Sequence, residues 1–309
     1  MKRNEVRPID DLRSYIAALE AHGQLHRVKA EVDWKYELCH VSKVNEEKQG
    51  PALLYENVKG HSIPVLTSAF TTPERIAIAL EQDPGLTMCQ LSRKWMELTT
   101  KQLVKPTFVD KPPVMENVIE GDAVDLEKFP VPWFYPDDGG RFFVTAGYLV
   151  TQDPDTGWTN LGTYRSQVLG KNILGSQIIK GKHGDMHMKK YQERGELMPA
   201  AYVVGCDPVL FLAGSTLVSA QTDEYAMPRF LPKCPPKVVP SSGSEGMGCA
   251  RVRGHASWCT IPMFVSAGSV RTSATSPRAS SRSSASTSLN STTRVVTAGS
   301  TGGPRFPLR

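Results

Sequence analysis

A change of composition late in the chain limits what this sequence can fold into more than any single motif does. From Pro240 onward Ser, Thr, Arg, Ala and Gly dominate, Glu245 is the only acidic residue, and no periodic apolar pattern survives. A stretch such as 269–293 buries too little apolar area to offset its ordering entropy. A packed core must therefore come from residues before about Met227, and the low-complexity tail, taken as 235–309, is expected to be irregular and disordered. The formal charge of +5 gathers in this tail, so it argues only weakly for a nucleic-acid surface.

The preceding residues have two textures. Asp10 or Asp11 caps a helix in which Leu12, Ile16 and Leu19 recur at helical spacing, and Gly23 stops it. Residues 52–58 and 63–70 are rich in strand formers and flank Lys59-Gly60-His61-Ser62, a turn. Thr72-Pro73-Glu74-Arg75 is a capped helix start, and a further helix is expected over 87–102. This order predicts a mixed α/β domain over residues 1–113, closed by Lys111-Pro112-Pro113. Over 114–234 the apolar runs shorten to 129–135, 142–151, 160–169 and 200–204, the spacing of a small barrel or sandwich, with one helix around 183–195. The run 209–212 reads as a further strand. Asp153-Pro154-Asp155-Thr156-Gly157 forms a hairpin loop that leads into Asn160-Leu161-Gly162-Thr163-Tyr164-Arg165. The six cysteines show no CxxC pair and are expected as reduced thiols; with no leader-like or membrane-spanning apolar run, the chain reads as cytoplasmic.

Several residues carry the chemistry of a site. An Asn160 oxygen is a hard ligand for a dication, and the Arg165 fork suits a carboxylate. Five apart in one strand, however, they would face opposite ways unless Gly162 introduces a bulge, and spacing alone favours an ordinary strand with polar ends. Glu224 completes an oxygen-rich site or else belongs to a solvated acidic loop. His183 and His187, at i and i+4, share a helix face, but Lys180, Lys182, Lys189 and Lys190 around them disfavour a dication, so phosphate or subunit contacts are preferred there. Asp137-Asp138-Gly139-Gly140-Arg141 is explained equally well as a tight turn.

In their order and spacing these segments resemble the UbiD family of prenylated-flavin-dependent decarboxylases. The resemblance runs from about Asp11 to about Tyr225. It is carried by Leu53-Leu54-Tyr55-Glu56-Asn57-Val58, Thr72-Pro73-Glu74-Arg75-Ile76, Pro136-Asp137-Asp138-Gly139-Gly140-Arg141-Phe142, the segment 160–165, Lys190-Tyr191 with Arg194-Gly195-Glu196, and Asp223-Glu224-Tyr225. The resemblance implies an α+β architecture in which the N-terminal domain precedes a split β-barrel that binds flavin. It further implies non-oxidative decarboxylation of an aromatic, phenolic carboxylic acid by prenylated FMN with Mn²⁺ and, in many members, K⁺. By position, Asn160 and Glu224 correspond to metal ligands, Arg165 to the catalytic arginine on substrate and flavin, and Thr163 and Ser215 to cofactor-lining residues. Ser176 and Gln177 fall where a histidine ligand is expected, about twelve residues after the arginine, and Gln177 offers an oxygen in its place. A flavin prenyltransferase as cofactor supplier and a homo-oligomer are implied as partners.

One departure is large. The Glu-Gly-Pro-Phe-Gly-Glu-like segment of the family, which holds the proton-transfer acid, does not occur in this sequence. Residues from about Pro228 read as translation out of frame, which makes low turnover the expectation. Two other classes stay open: a prenyl-flavin and metal binder without turnover, and a protein whose basic tail associates with nucleic acid or membrane. Translating the other two frames of the gene is expected to return the acidic segment; its absence from both would overturn the out-of-frame reading.

Overall fold

A computed structural model describes Ile9 and residues 11–99, 106–108, 117–120, 123–196 and 198–226, together with strand segments 237–240, 248–250, 263–272, 285–288 and 294–297. Helix α1 (Leu12–Ala21) starts at Asp11, whose carboxylate accepts from the Ser14 amide at 2.6 Å, and Gly23, at φ +68°, turns the chain out of it. Strands β1 (Leu25–Val28), β2 (Ala52–Tyr55) and β3 (Val65–Thr67) form one sheet, β1 parallel and β3 antiparallel to β2. Helix α2 (Glu37–Glu47) has no side-chain cap, which is why sequence punctuation does not announce it. Thr72 caps α3 (Pro73–Ala79), and α4 (Met88–Thr99) follows. The fully buried Arg75 guanidinium donates to the Gly50 carbonyl at 2.9 Å, so this motif residue holds the first domain together.

The second region contributes β4 (Thr107–Phe108), β5 (Asn117–Glu120), β6 (Gly147–Gln152), β7 (Thr159–Gly162), β8 (Ser166–Gly170), β9 (Ile173–Ser176), α5 (His183–Glu193), β10 (Met198–Val204) and α6 (Pro208–Gly214). Further along run β11 (Lys237–Pro240), β12 (Gly248–Ala250), β13 (Met263–Thr272), β14 (Ala285–Ser288) and β15 (Arg294–Thr297). The large sheet is ordered β7-β6-β10-β13-β14-β9-β8, with β15 joining β13 to β5. Its end strands β7 and β8 are neighbours in sequence but do not pair, so among the described residues the sheet does not close, and β7 keeps one edge free of strand partners.

Three sequence expectations change. Residues 209–212 belong to helix α6, because Asp207 accepts from the Val209 amide at 2.8 Å and Pro208 occupies the first turn, an N-terminal signature that outweighs the apolar run. The run 129–135 forms no strand; it follows a 3-10 turn at Leu126–Lys128 and meets N-terminal residues through a bridge from Lys35 to Trp133, the Trp133–Tyr36 ring contact and the packing of Phe134 against Val32 and Val58. Within the expected disordered tail, β13, β14 and β15 pair into the large sheet, and the stretches between them lie outside the described residues. The hairpin β6–β7, the helix around 183–193 and both N-terminal caps stand where they are expected. Among the described residues no helix is long and apolar enough to cross a membrane, and Cys39, Cys89 and Cys206 are free thiols.

Candidate functional site

The site is built on the β6–β7 hairpin. Asp153 Oδ1 accepts from the Asp155 and Thr156 amides, which shapes the loop, and Gly157, at φ +72°, closes it. Helix α5 lies along this hairpin and is fastened residue by residue on one face. Lys190 Nζ reaches Asp153 at 2.6 Å and Asp155 at 2.9 Å, and Arg194 pairs with Asp155. One turn back His187 Nδ1 meets Thr151 Oγ1 at 3.0 Å, and a further turn back His183 Nδ1 stands 4.0 Å from Glu224 Oε1. Trp158 is wedged between the two imidazoles, with ring centroids 4.8 Å from His183 and 4.7 Å from His187, and its indole N–H donates to the Thr222 carbonyl at 2.8 Å. The lysines that speak against a cation here are partly neutralised, since Lys189 pairs with Asp185 and Lys190 with the hairpin acids.

Glu224 is not in a solvated loop. It is 2 % exposed, and Oε2 accepts the Leu161 amide at 3.3 Å, so the carboxyl caps the free edge of β7. Burial pushes its pKa up to about 8, and no lysine or arginine forms an ion pair with it among the described residues. Asn160, also buried, donates from Nδ2 to Thr151 Oγ1 at 3.4 Å and contacts the Tyr164 hydroxyl, which in turn accepts the Gly184 amide at 3.1 Å. His183 and Glu224 thus face each other, and Asn160 sits on β7 next to Leu161, whose amide Glu224 accepts, which gives one imidazole, one carboxylate and one neighbouring carboxamide. That donor set suits Mn²⁺ or Mg²⁺ better than a thiolate-seeking metal.

The face question raised by the sequence is answered at Gly162. Strand β7 ends there, the Tyr164 amide donates to the Gly162 carbonyl at 3.0 Å, and the Tyr164 ring folds back over the glycine. A Cβ at Gly162 would lie 2.0 Å from Tyr164 Cε2, so any side chain there would force the Tyr164 ring out of this position. The break frees Arg165 from strand alternation. It is exposed, its guanidinium 5.3 Å above the Phe142 ring, and Nη2 donates to Gln177 Oε1 at 3.4 Å. Phe142 lines a cavity of about 560 Å³ between the two domains, with Phe129, Phe134, Phe143 and Phe211 among its other walls. Exposed Thr163 joins exposed Ser215 through the Thr163 amide and the Gly214 carbonyl at 3.3 Å.

Two sequence expectations do not fit this geometry. The Gln177 side-chain oxygen is engaged by Arg165, whereas the side chain that faces Glu224 is His183. Ser176 is buried, with its hydroxyl between those of Ser166 and Tyr202. The i, i+4 histidine pair is the sequence signal for His183; its lysine neighbours mask it.

The amino-acid sequence matches the model of the 3-octaprenyl-4-hydroxybenzoate carboxy-lyase N-terminal domain over residues 16–95 and that of the carboxy-lyase Rift-related domain over 107–247. The chain belongs to the UbiD family. The Rift-related match runs to 247, so the UbiD pattern persists past the break that composition suggests at about 228. An uncharacterized Synechocystis protein, sll0936, is 32 % identical over 234 residues, which cover 70 % of this chain and 46 % of that protein. The chain thus spans about half the length of that curated relative. Among solved structures, the UbiD-class enzyme HmfF of Pelotomaculum thermopropionicum, in complex with FMN, superposes with a TM-score of 0.75 at 24 % identity, over 93 % of this chain and 62 % of that one. The vanillic acid decarboxylase of Sedimentibacter hydroxybenzoicus, in open form, gives 0.79 at 21 %, over 95 % and 62 %. At these identities the superpositions speak for the fold.

The buried carboxyl of this UbiD protein has a measurable consequence. Because the folded-state pKa of Glu224 lies above its ordinary value, its contribution to stability is complete below the ordinary carboxylate range and is lost as pH rises through about 8. His187 is depressed to about 4 by burial, so its contribution is lost in the opposite direction, as pH falls below 6.5. Just above pH 6.5 the depressed His187 and His183 still add a little stability as the unfolded chain loses its imidazole protons, which offsets part of the Glu224 loss, and metal-free protein is expected to lose about 1 kcal/mol of unfolding free energy between pH 6.5 and 8. Urea unfolding across that window should show this slope in the wild type and its absence in Glu224→Gln; equal slopes in the two proteins would contradict the assignment.

Proposed function

We propose that this chain carries the cofactor- and metal-binding half of a UbiD-class non-oxidative decarboxylase of an aromatic, phenolic carboxylic acid. The observation that supports it most directly is the buried Glu224 carboxyl that faces His183 on the strand edge carrying Asn160, followed along the chain by exposed Thr163 and Arg165 and with exposed Ser215 after α6. In this reading the three buried side chains hold Mn²⁺, and a buried carboxyl that lacks an ion-pair partner gains one when the cation arrives. The cation and the N-terminus of α5 together favour a phosphate, as the FMN of the HmfF complex would present. Thr163 and Ser215 line the adjoining groove, and K⁺ accompanies the site as in many family members.

Arg165 is the residue that meets the substrate. Its fork binds a carboxylate through two parallel hydrogen bonds, and the aromatic walls that begin at Phe142 suit an aryl ring. The prenylated flavin, when bound, supplies the electron sink into which the carbon–carboxylate bond breaks. A phenolic acid is favoured because structural neighbours act on vanillic and 3,4-dihydroxybenzoic acids. A flavin prenyltransferase would supply the cofactor, and self-association is assigned to the chain by analogy with an evolved dimeric form of HmfF.

A second reading, a prenyl-flavin binder without turnover, draws on the missing acidic segment, since a positioned general acid is commonly worth about 10²–10⁴-fold. Co-expression with a flavin prenyltransferase should yield protein with flavin absorbance. Arg165→Ala should keep that absorbance, while Asn160→Ala, His183→Ala and Glu224→Ala should lose most of it. Retention of flavin by all four variants would show that the cofactor does not depend on this cluster.

A further inference from the structure

The Asn160 carboxamide presents its oxygen to a cation only if its nitrogen is held elsewhere, and the fold contains a device for that. Thr151 lies directly opposite Asn160 in the β6–β7 register, with its hydroxyl fully buried. In this arrangement Asn160 Nδ2 donates to Thr151 Oγ1 at 3.4 Å, and Thr151 Oγ1 lies 3.0 Å from His187 Nδ1. A hydroxyl has one proton and two lone pairs, so Thr151 can accept from the carboxamide nitrogen and still give its own proton to the imidazole. With Nδ1 as that acceptor, the ring proton sits on Nε2.

His187 is completely buried, its Nε2 has no hydrogen-bond partner among the described residues, and its ring stands perpendicular to Trp158. A buried polar atom without a partner carries a free-energy cost that packing alone does not require, because an aliphatic side chain would fill the same space. Burial keeps the imidazole neutral, with Lys190 and Asp153 acting on it in opposite senses, so one ring nitrogen retains its lone pair and the 3.0 Å contact to Thr151 makes Nδ1 the nitrogen that can use it.

We propose that His187 is a positioning residue which, through Thr151, locks the Asn160 carboxamide with its oxygen available to a divalent cation. The proposal rests on the reading of Asn160, His183 and Glu224 as a cation site. It assigns a role to His187 distinct from that of a ligand: the imidazole sets the direction of the hydrogen-bond chain Asn160 to Thr151 to His187. An outer group that orients a metal ligand is typically worth about 10–100-fold in metal affinity.

Calorimetric titration of the purified full chain with Mn²⁺ tests it without recourse to turnover. His187→Leu and Thr151→Val are each expected to weaken Mn²⁺ binding about tenfold or more, Thr151→Ser to retain it, and the double variant to lose no more than the worse single one. In an Asn160→Asp background, where both prongs are oxygens and no orientation is needed, His187→Leu should leave the affinity unchanged. Thermal unfolding of each variant separates loss of fold from loss of orientation: Thr151→Ser, His187→Gln and the Asn160→Asp pair keep the comparison alive if His187→Leu is unstable. Equal weakening by His187→Leu in the wild-type and Asn160→Asp backgrounds, or wild-type affinity in Thr151→Val, would overturn the positioning role. If His183→Ala and Glu224→Gln also leave Mn²⁺ binding intact, it is the cation site itself that fails.

Discussion

The burial of the Glu224 carboxyl against the free edge of β7 is the interaction on which the site depends. An edge strand exposes unpaired amides, and Glu224 satisfies that of Leu161 from a segment far away in sequence. Desolvation of a carboxyl in this position is costly, and among the described residues no lysine or arginine pairs with it to offset that cost. The arrangement therefore carries a cost in charge rather than in geometry, which a bound cation would offset. Directly after this contact along the chain, β7 ends in the turn at Gly162, over which the Tyr164 ring folds and beyond which Arg165 emerges.

Helix α5 supplies the other half of the constraint. The face toward the hairpin reads His183, His187 and Lys190, with Arg194 just past the helix end; the imidazoles meet Glu224 and Thr151, and the two basic residues share the loop acids Asp153 and Asp155. The two ion-paired turns anchor the helix at the loop end, where solvent screens the charges and each pair contributes modestly. The two imidazole turns sit deeper, against Trp158. A rigid helix thus converts surface charge pairing into the placement of a buried imidazole. This is consistent with the presence of Lys190-Tyr191 and Arg194-Gly195-Glu196 among the motifs that mark the family.

Much of the scaffold is legible in the residues. The Asp11 and Thr72 caps, the β6–β7 hairpin and the α5 span are local features with local causes, and the structure has them. Asp207-Pro208 carries the same kind of signal, yet the run it precedes suggests a strand, because four apolar residues in a row do not distinguish strand from helix. The site is legible only in part. Nothing near Glu224 in sequence shows that it becomes buried on a strand 63 residues away. Likewise, the lysine neighbours of His183 argue against a ligand there, and the distance of Gln177 from Arg165 along the chain argues for one. Neither signal says which side chains share a space, a property of the tertiary fold. The strands of the tail are hidden for a different reason: Ser- and Thr-rich composition argues against a core, yet short β-branched pieces such as Val295-Val296 can still add to an existing sheet edge.

The central claim is that one imidazole, one carboxamide and one carboxylate, supplied by α5, β7 and the segment after α6, form a single cation site. Pulsed electron paramagnetic resonance of Mn²⁺-loaded protein reads this directly, because a bound imidazole nitrogen couples to the metal electron spin. The account predicts a directly coordinated nitrogen signal in the wild type that persists in Gln177→Ala and disappears in His183→Ala. A nitrogen signal that survives His183→Ala, or bound Mn²⁺ with no nitrogen ligand at all, would contradict it.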